Sequence, residues 1–315
     1  MAHFLKNLWT SNNPLLRIAR IVAVSAIVLI LAVMAFEDKL IYFPDKYPAG
    51  YWRVVETSGR VTAGVPEGAL VPRIEDCWFV TADGVKLHGW YCTPVRRTGE
   101  SFSPVSSKMT LLWLHGNAGN ISYRYDMVRH LMALPVNIFI IDYRGYGRSE
   151  GSPRESGLYL DTRAAWSCLT EERKLAPERI VIFGKSIGGV FAVDLAQQLE
   201  TEGIKPAGLI VQSSFTSAAD MAAAVLPFYP RALIRAKMDS ISKIRNIACP
   251  KLFIHSRADE VVPFKLGYKL YEAAPDPKEF YEVTNSDHNS TYISGGKGYL
   301  ETLRRFVESC QPTGS

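Results

Sequence analysis

The chain has 315 residues, 47% apolar and 21% charged, which is the balance of a folded globular protein and excludes a disordered or low-complexity one. Its 36 basic and 31 acidic side chains leave a formal net charge of +5 spread along the length, without the basic stripe of a nucleic-acid binder. Five cysteines with no CxxC or CxxH spacing argue against a zinc site and against a full disulfide framework.

The amino-terminal part is the least globular. Ile21 to Phe36 is an unbroken run of 16 apolar or small residues, closed by Glu37-Asp38-Lys39. As a helix this run spans roughly 24 Å; Leu15, Leu16, Ile18 and Ala19 lengthen it, because Arg17 and Arg20 can snorkel to the head groups. The pattern predicts a transmembrane anchor over residues 15–36 after a cytoplasmic N-terminus at 1–14. Lys6, Arg17 and Arg20 lie upstream with no acid among them. That bias expects a single-pass membrane protein with the bulk of the chain on the extracytoplasmic face. A signal peptide cleaved at Val33-Met34-Ala35, giving a secreted product, is the alternative. Residues 37–73 form a juxtamembrane segment in which Tyr42, Phe43, Tyr47, Tyr51 and Trp52 read as an interfacial aromatic belt.

From residue 74 to about 310, short apolar strands alternate with helices. A hairpin is expected over residues 77–93, turning on Ala82-Asp83-Gly84. Further strands are expected at residues 109–114, 137–142, 179–183, 207–212, 250–255 and 279–283. Helices are expected at 122–134, 157–176, 186–200, 263–273 and 299–309. This alternation specifies an α/β domain with a mostly parallel central sheet, helices on both faces and an antiparallel hairpin at its start. Residues 53–73 and 94–108 read as loops. The segment 217–246 has helical patterning broken by Pro227 and Pro230, so residues 214–247 are either a small lid or a bent connector. As a lid, its Met221, Val225, Leu226 and Phe228 could admit acyl chains from the nearby membrane; as a connector they simply pack.

Gly184-Lys185-Ser186-Ile187-Gly188 fits G-x-S-x-G, and so does Gly147-Arg148-Ser149-Glu150-Gly151. A nucleophile elbow needs a strand running straight into the serine and a helix starting straight after it. Ser186 follows the apolar run RIVIF and precedes a helical pattern, whereas Ser149 is separated from its strand and followed by Pro153. Ser186 is therefore the candidate nucleophile and Ser149 a loop residue. A serine hydroxyl needs a base, and the base an orienting acid, which in this chain order should both follow it. His288, in the polar loop 285–289, is the expected base; His255 ends an apolar strand and reads as structural. Asp259, just past that strand, is the expected acid. Asp287 adjoins His288 too closely to reach its Nδ1, and Glu260 is a lesser rival. The oxyanion of the transition state needs preorganised donors: the Ile187 N–H, and one from the loop 115–120, where Asn117 is the choice and Ala118 the alternative.

The segments HGNAGN, DYRGYGRSEGSP, GKSIGG, SRADEVVP and SDHN together resemble the α/β-hydrolase superfamily over residues 74 to 310. They are most similar to its single-pass, membrane-anchored branch, the alpha/beta hydrolase domain-containing protein 13 kind and its bacterial relatives. Tyr42-Phe43-Pro44 also fits that branch; Lys185 departs from the hydrophobic or histidine-containing elbows of many relatives. The resemblance implies the α/β-hydrolase fold and a serine hydrolase with triad Ser186, Asp259 and His288, with no metal or organic cofactor. The expected chemistry is two-step acyl transfer from a carboxylic ester or thioester, lipid-derived substrates included. A peptidase or amidase on the same parts is one alternative, and a catalytically silent membrane-tethered binding module another. The expected partners are thus the membrane and an acyl ester, not nucleic acid.

Overall fold

The computed structural model of the chain describes residues 13–53 and 65–312. Lys6, most of the expected cytoplasmic N-terminus and the middle of the 53–73 loop lie outside the described residues. Asn13 caps the first helix, accepting the Leu15 N–H at 2.9 Å, and a proline follows in the first turn, where its missing N–H costs nothing. This helix, α1 (Pro14–Ile41), has 28 residues and is long and apolar enough to cross a membrane. It runs past the expected end at residue 36, because Glu37, Asp38 and Lys39 continue it.

The chain then turns extended as β1 (Phe43–Pro44) and reaches the hairpin β2 (Leu70–Val80) and β3 (Lys86–Thr98). After β4 (Ser101–Pro104) come β5 (Met109–Leu114), β6 (Ala118–Gly119), α2 (Tyr125–Leu131) and β7 (Val136–Asp142). Next are α3 (Glu155–Ser167), β8 (Ile180–Lys185), α4 (Ile187–Thr201) and β9 (Gly208–Gln212). The segment between β9 and β10 holds α5 (Ala218–Val225) and α6 (Ser240–Lys243). The chain closes with β10 (Lys251–Ser256), α7 (Phe264–Ala273), β11 (Lys278–Val283), α8 (Thr291–Ser294) and α9 (Gly296–Ser309).

Among the described residues the main sheet runs β11-β10-β9-β8-β5-β7-β3-β2, with β4 added beside β3. The pairs from β7 to β11 are parallel, while β3 meets β7 and β2 antiparallel. Alternation explains why the central strands are apolar throughout: Leu112 and Leu114 of β5 join one core, Leu111 and Trp113 the core on the opposite face.

Several expectations need correction. β4 forms where residues 94–108 read as a loop, because β3 continues past Thr93 and its register offers Ser101–Pro104 a partner. The segment 217–246 is not one bent helix but short helices and turns around Pro227 and Pro230. The aromatic belt dissolves: Tyr42 and Trp52 are buried in the domain core, while Phe43, Tyr47 and Tyr51 stay exposed. Residues 42–52 therefore belong to the folded unit, which begins before residue 74.

Candidate active site

Strand β8 is buried along its whole length and delivers Ser186 at its carboxyl end. Ser186 adopts φ 56° and ψ −126°, on the left-handed side that non-glycine residues rarely occupy. Its N–H is held by the Gln212 carbonyl at 2.8 Å, and α4 starts at the next residue. No side chain fits at either flanking glycine. A Cβ on Gly184 would stand 2.4 Å from the Gly188 carbonyl oxygen, and one on Gly188 would stand 2.0 Å from that of Leu114. This is the sharp strand-to-helix turn that a nucleophile elbow requires.

Because β8, β9, β10 and β11 are parallel neighbours, their carboxyl ends share one edge. Asp259 follows β10 and His288 follows β11. The Asp259 carboxylate lies 2.8 Å (Oδ2) and 3.0 Å (Oδ1) from His288 Nδ1. A ring nitrogen facing two acceptors carries the proton, so Nε2 is left basic. Oδ1 of Asp259 also accepts the N–H groups of Val261 (3.0 Å) and Val262 (2.8 Å), which lock the acid in place. His255 Nε2 donates to the Val262 carbonyl at 3.0 Å and stands 3.4 Å from Asp259 Oδ2. Burial pushes the Asp259 carboxyl up, but hydrogen bonds from His255, His288 and the Val262 N–H outweigh it and hold the group well below the usual carboxylate range.

The rival acids are occupied elsewhere. Asp287 folds back to accept from the Asn289 and Ser290 amides and the Ser290 hydroxyl. Glu260 accepts the backbone N–H of His288 at 3.0 Å. The structure thus joins Asp259 to His288 and sets both on the edge that carries Ser186. Among the described residues, the Ser186 hydroxyl and the His288 ring share no hydrogen bond. β8 and β10 lie two strand spacings apart, roughly 10 Å, a gap that an imidazole carried on Asp259 is sized to bridge.

As the first residue of α4, Ile187 has an N–H without an intrahelical acceptor. The loop from residue 115 to 120 supplies the facing wall, and a Cβ on Gly116 would lie 3.5 Å from Ser186 Cβ. The Gly116 carbonyl accepts from His115 Nδ1 at 2.7 Å, so the Asn117 N–H, antiparallel across a trans peptide, points the other way. The Asn117 carbonyl is pinned by the Phe43 N–H (3.0 Å) and the Tyr146 hydroxyl (2.7 Å), and its side-chain amide donates to the Ile41 carbonyl at 2.9 Å. His115 is fully buried; burial, then the Arg124 charge, lower its pKa to about 3, so it stays neutral. Lys185 is also buried, and its ammonium is pushed down to about 8 by burial and then by Arg124, against the pull of Asp259 and Asp287.

A cavity of about 240 Å³ opens over Ser186, Ile187 and Asn117. Its far wall comes from α5 and Val262, and its near wall from Val33, Glu37, Leu40 and Ile41 of α1. The helix expected to serve as a tether therefore lines the site. Sequence reading missed that role and that of Glu37, whose only signal is an acid placed directly after the apolar run. Among the described residues, no cluster of three or more His, Cys, Asp or Glu side chains is placed to hold a metal ion.

The family described as serine aminopeptidase, S33 matches residues 106–229, which carry the loop 115–120, the turn at Ser186 and α5. Rv2307c of Mycobacterium tuberculosis, an uncharacterized protein, is 34% identical over 93% of this chain and 94% of its own length. The alpha/beta hydrolase domain-containing protein WAV2 of Arabidopsis thaliana is 32% identical over 89% of this chain and 90% of its own. Among solved structures, the Pyrococcus furiosus esterase Pf2001 superposes with a TM-score of 0.62 at 19% identity, covering 84% of this chain and 98% of that one, a likeness of fold. With relatives more than 30% identical matched over nearly their whole length and the fold shared with a solved esterase, the chain belongs to the α/β-hydrolase superfamily and is a hydrolase.

Proposed function

We propose that the protein is a serine hydrolase that cleaves carboxylic esters or thioesters through an acyl-enzyme. Ser186 Oγ attacks the acyl carbon while its proton passes to His288 Nε2, and Asp259 holds the imidazole and stabilises its charged form. The tetrahedral oxyanion is received by the N–H groups of Ile187 and Asn117, each donor of this kind contributing about 3 kcal/mol of barrier lowering. His288 then returns the proton to the departing alcohol or thiol. Water attacks the acyl-enzyme by the same route, releasing the acid and restoring Ser186. The carrying observation is the left-handed Ser186 between β8 and α4, on the edge where Asp259 grips His288. Substrate binding draws His288 onto Ser186, since catalytic hydrogen bonds commonly tighten only in the complex.

An ester is favoured over the free amino terminus of a peptide by the cavity wall. An aminopeptidase needs a carboxylate for the substrate's amino group. The carboxylate in this wall, Glu37, already accepts the Arg235 and Ala236 amides. The segment 214–247 acts as a cap. α1 acts as a retained anchor with Arg17 and Arg20 on the cytoplasmic side and the hydrolase domain on the other. Retention is favoured because Val33, which a cut after Ala35 would remove, lines the cavity beside Ser186. Protease protection in sealed vesicles tests the orientation.

A burst experiment tests the chemistry. An activated ester should release about one equivalent of alcohol per protein before steady turnover, and Ser186→Ala should abolish the burst. Linear release from the first turnover, unchanged in Ser186→Ala, would contradict the reading.

A further inference from the structure

The anchor helix forms part of the catalytic cavity, and this bears on what the enzyme cleaves. We infer that the substrate is the ester or thioester of a long acyl chain, and that this chain reaches Ser186 sideways from the bilayer between α1 and the cap. The inference rests on the serine-hydrolase reading and adds the substrate class and its route.

Val33, Glu37, Leu40 and Ile41 follow one another at spacings of four, three and one, which places them on a single face of α1. At 1.5 Å per residue the 28-residue helix is about 42 Å long, against a hydrocarbon core of about 30 Å. With Arg17 and Arg20 at one head-group level and Glu37-Asp38-Lys39 at the other, the hydrocarbon ends near residue 36. The cavity wall on α1 then straddles that boundary, with Val33 at the depth of the acyl chains of the opposite leaflet and Leu40 and Ile41 at its head groups.

The outer rim is apolar and uncovered. In the cap, Val225 is 61% exposed and Leu226 45%; on α1, Leu40 is 54% exposed. Such a patch is unfavourable in water and fits hydrocarbon. The cavity, at about 240 Å³, is smaller than the ~300–1,000 Å³ pockets that enclose whole small molecules. A long chain with its carbonyl at Ser186 therefore extends out past the rim, and these residues accompany it into the bilayer.

The wall is fixed to the catalytic parts. The buried Glu37 carboxylate accepts the Arg235 N–H (2.9 Å), the Ala236 N–H (2.8 Å) and Arg235 Nε (2.9 Å), so moving α1 away would strand those donors. Directly after α1, β1 pairs in parallel with β6 inside the oxyanion loop, Phe43 against Ala118 and Pro44 against Gly119. Anchor, oxyanion loop and cap thus move as one body.

The test uses the full chain in lipid nanodiscs, with acetyl and palmitoyl esters of one chromogenic alcohol. Val33→Trp and Leu40→Trp fill the cavity from its α1 wall, and Leu31→Trp, on the opposite face of α1, is the control. The expected result is a fall of about tenfold or more in kcat/KM for the palmitoyl ester in the two wall variants. The acetyl ester should lose several-fold less, so that the palmitoyl-to-acetyl ratio of kcat/KM falls in both wall variants, and Leu31→Trp, which lines no part of the cavity, should match the parent on both esters. Equal loss of both esters, or no loss of either, overturns the inference while leaving the hydrolase reading intact. A parent protein that neither labels nor turns over either ester overturns the hydrolase reading, and this inference with it.

Discussion

Two segments of this chain carry the same five-residue pattern around a serine, and each serine has a histidine and an aspartate close by. At Ser186 the backbone is left-handed and the hydroxyl, among the described residues, makes no hydrogen bond. The paired histidine and acid arrive from loops after β10 and β11. At Ser149 the hydroxyl is consumed: it donates to the Asp142 carbonyl at 2.6 Å and accepts the His88 N–H at 2.9 Å. The His88 ring is clamped between Asp142 (3.2 Å) and Asp76 (2.7 Å), with no nitrogen left over. The same side chains thus make a candidate catalytic site or a structural knot. What differs is whether a strained backbone holds the hydroxyl out of the hydrogen-bond network or a relaxed one lets it join.

That contrast can be broken by substitution. Ser186→Ala or His288→Ala should each lower kcat on the order of a millionfold in an ester-hydrolysis assay, with the melting temperature nearly unchanged. Asp259→Asn should cost on the order of ten-thousandfold. The reason is geometric: the Val261 and Val262 amides would keep the amide oxygen at the Oδ1 position. The NH₂ would then face His288 Nδ1 and force the proton onto Nε2. Kinetics of this variant with the fold checked by circular dichroism decide the matter, and near-parental turnover would remove Asp259 from the mechanism. Ser149→Ala should behave in the opposite way. Activity should stay within about threefold, while stability falls by about 1–3 kcal/mol as the buried His88 N–H loses its acceptor. Thermal unfolding in detergent measures this.

The smallest effect sharpens the electrostatics of the elbow. Burial lowers the Lys185 ammonium from 10.5 to about 8. Between those values the unfolded chain holds a proton that the native protein has shed. Native stability should therefore gain from this group as pH rises from about 8 to 10.5, and its cost is fully present below 8. Lys185→Met should remove that gain, seen as a flatter dependence of the melting temperature on alkaline pH.

How much of this was legible in the sequence follows from which contacts are local. The elbow could be read because RIVIF, the glycines and the helical pattern after Ser186 are contiguous, and parallel-strand logic put Asp259 and His288 in the loops after β10 and β11, where the two side chains meet. The brace between Phe43–Pro44 and Ala118–Gly119 could not be read. Two residues carry no periodicity, and their partners lie some seventy-five positions away. Glu37 was invisible for a related reason: it binds mostly backbone amides, which have no sequence signature. Tyr42 and Trp52 misled because aromatic composition alone does not say whether a ring meets lipid head groups or a protein core. His255 was recognised as structural, but its hold on the Asp259 carboxylate depends on the turn that brings Val262 back to it.

The most direct test of the central claim is to treat the folded full chain with a fluorophosphonate and locate the adduct by peptide mass spectrometry. The account expects one adduct, on Ser186, strongly diminished in His288→Ala. An adduct on Ser149, or none on either serine, would contradict it.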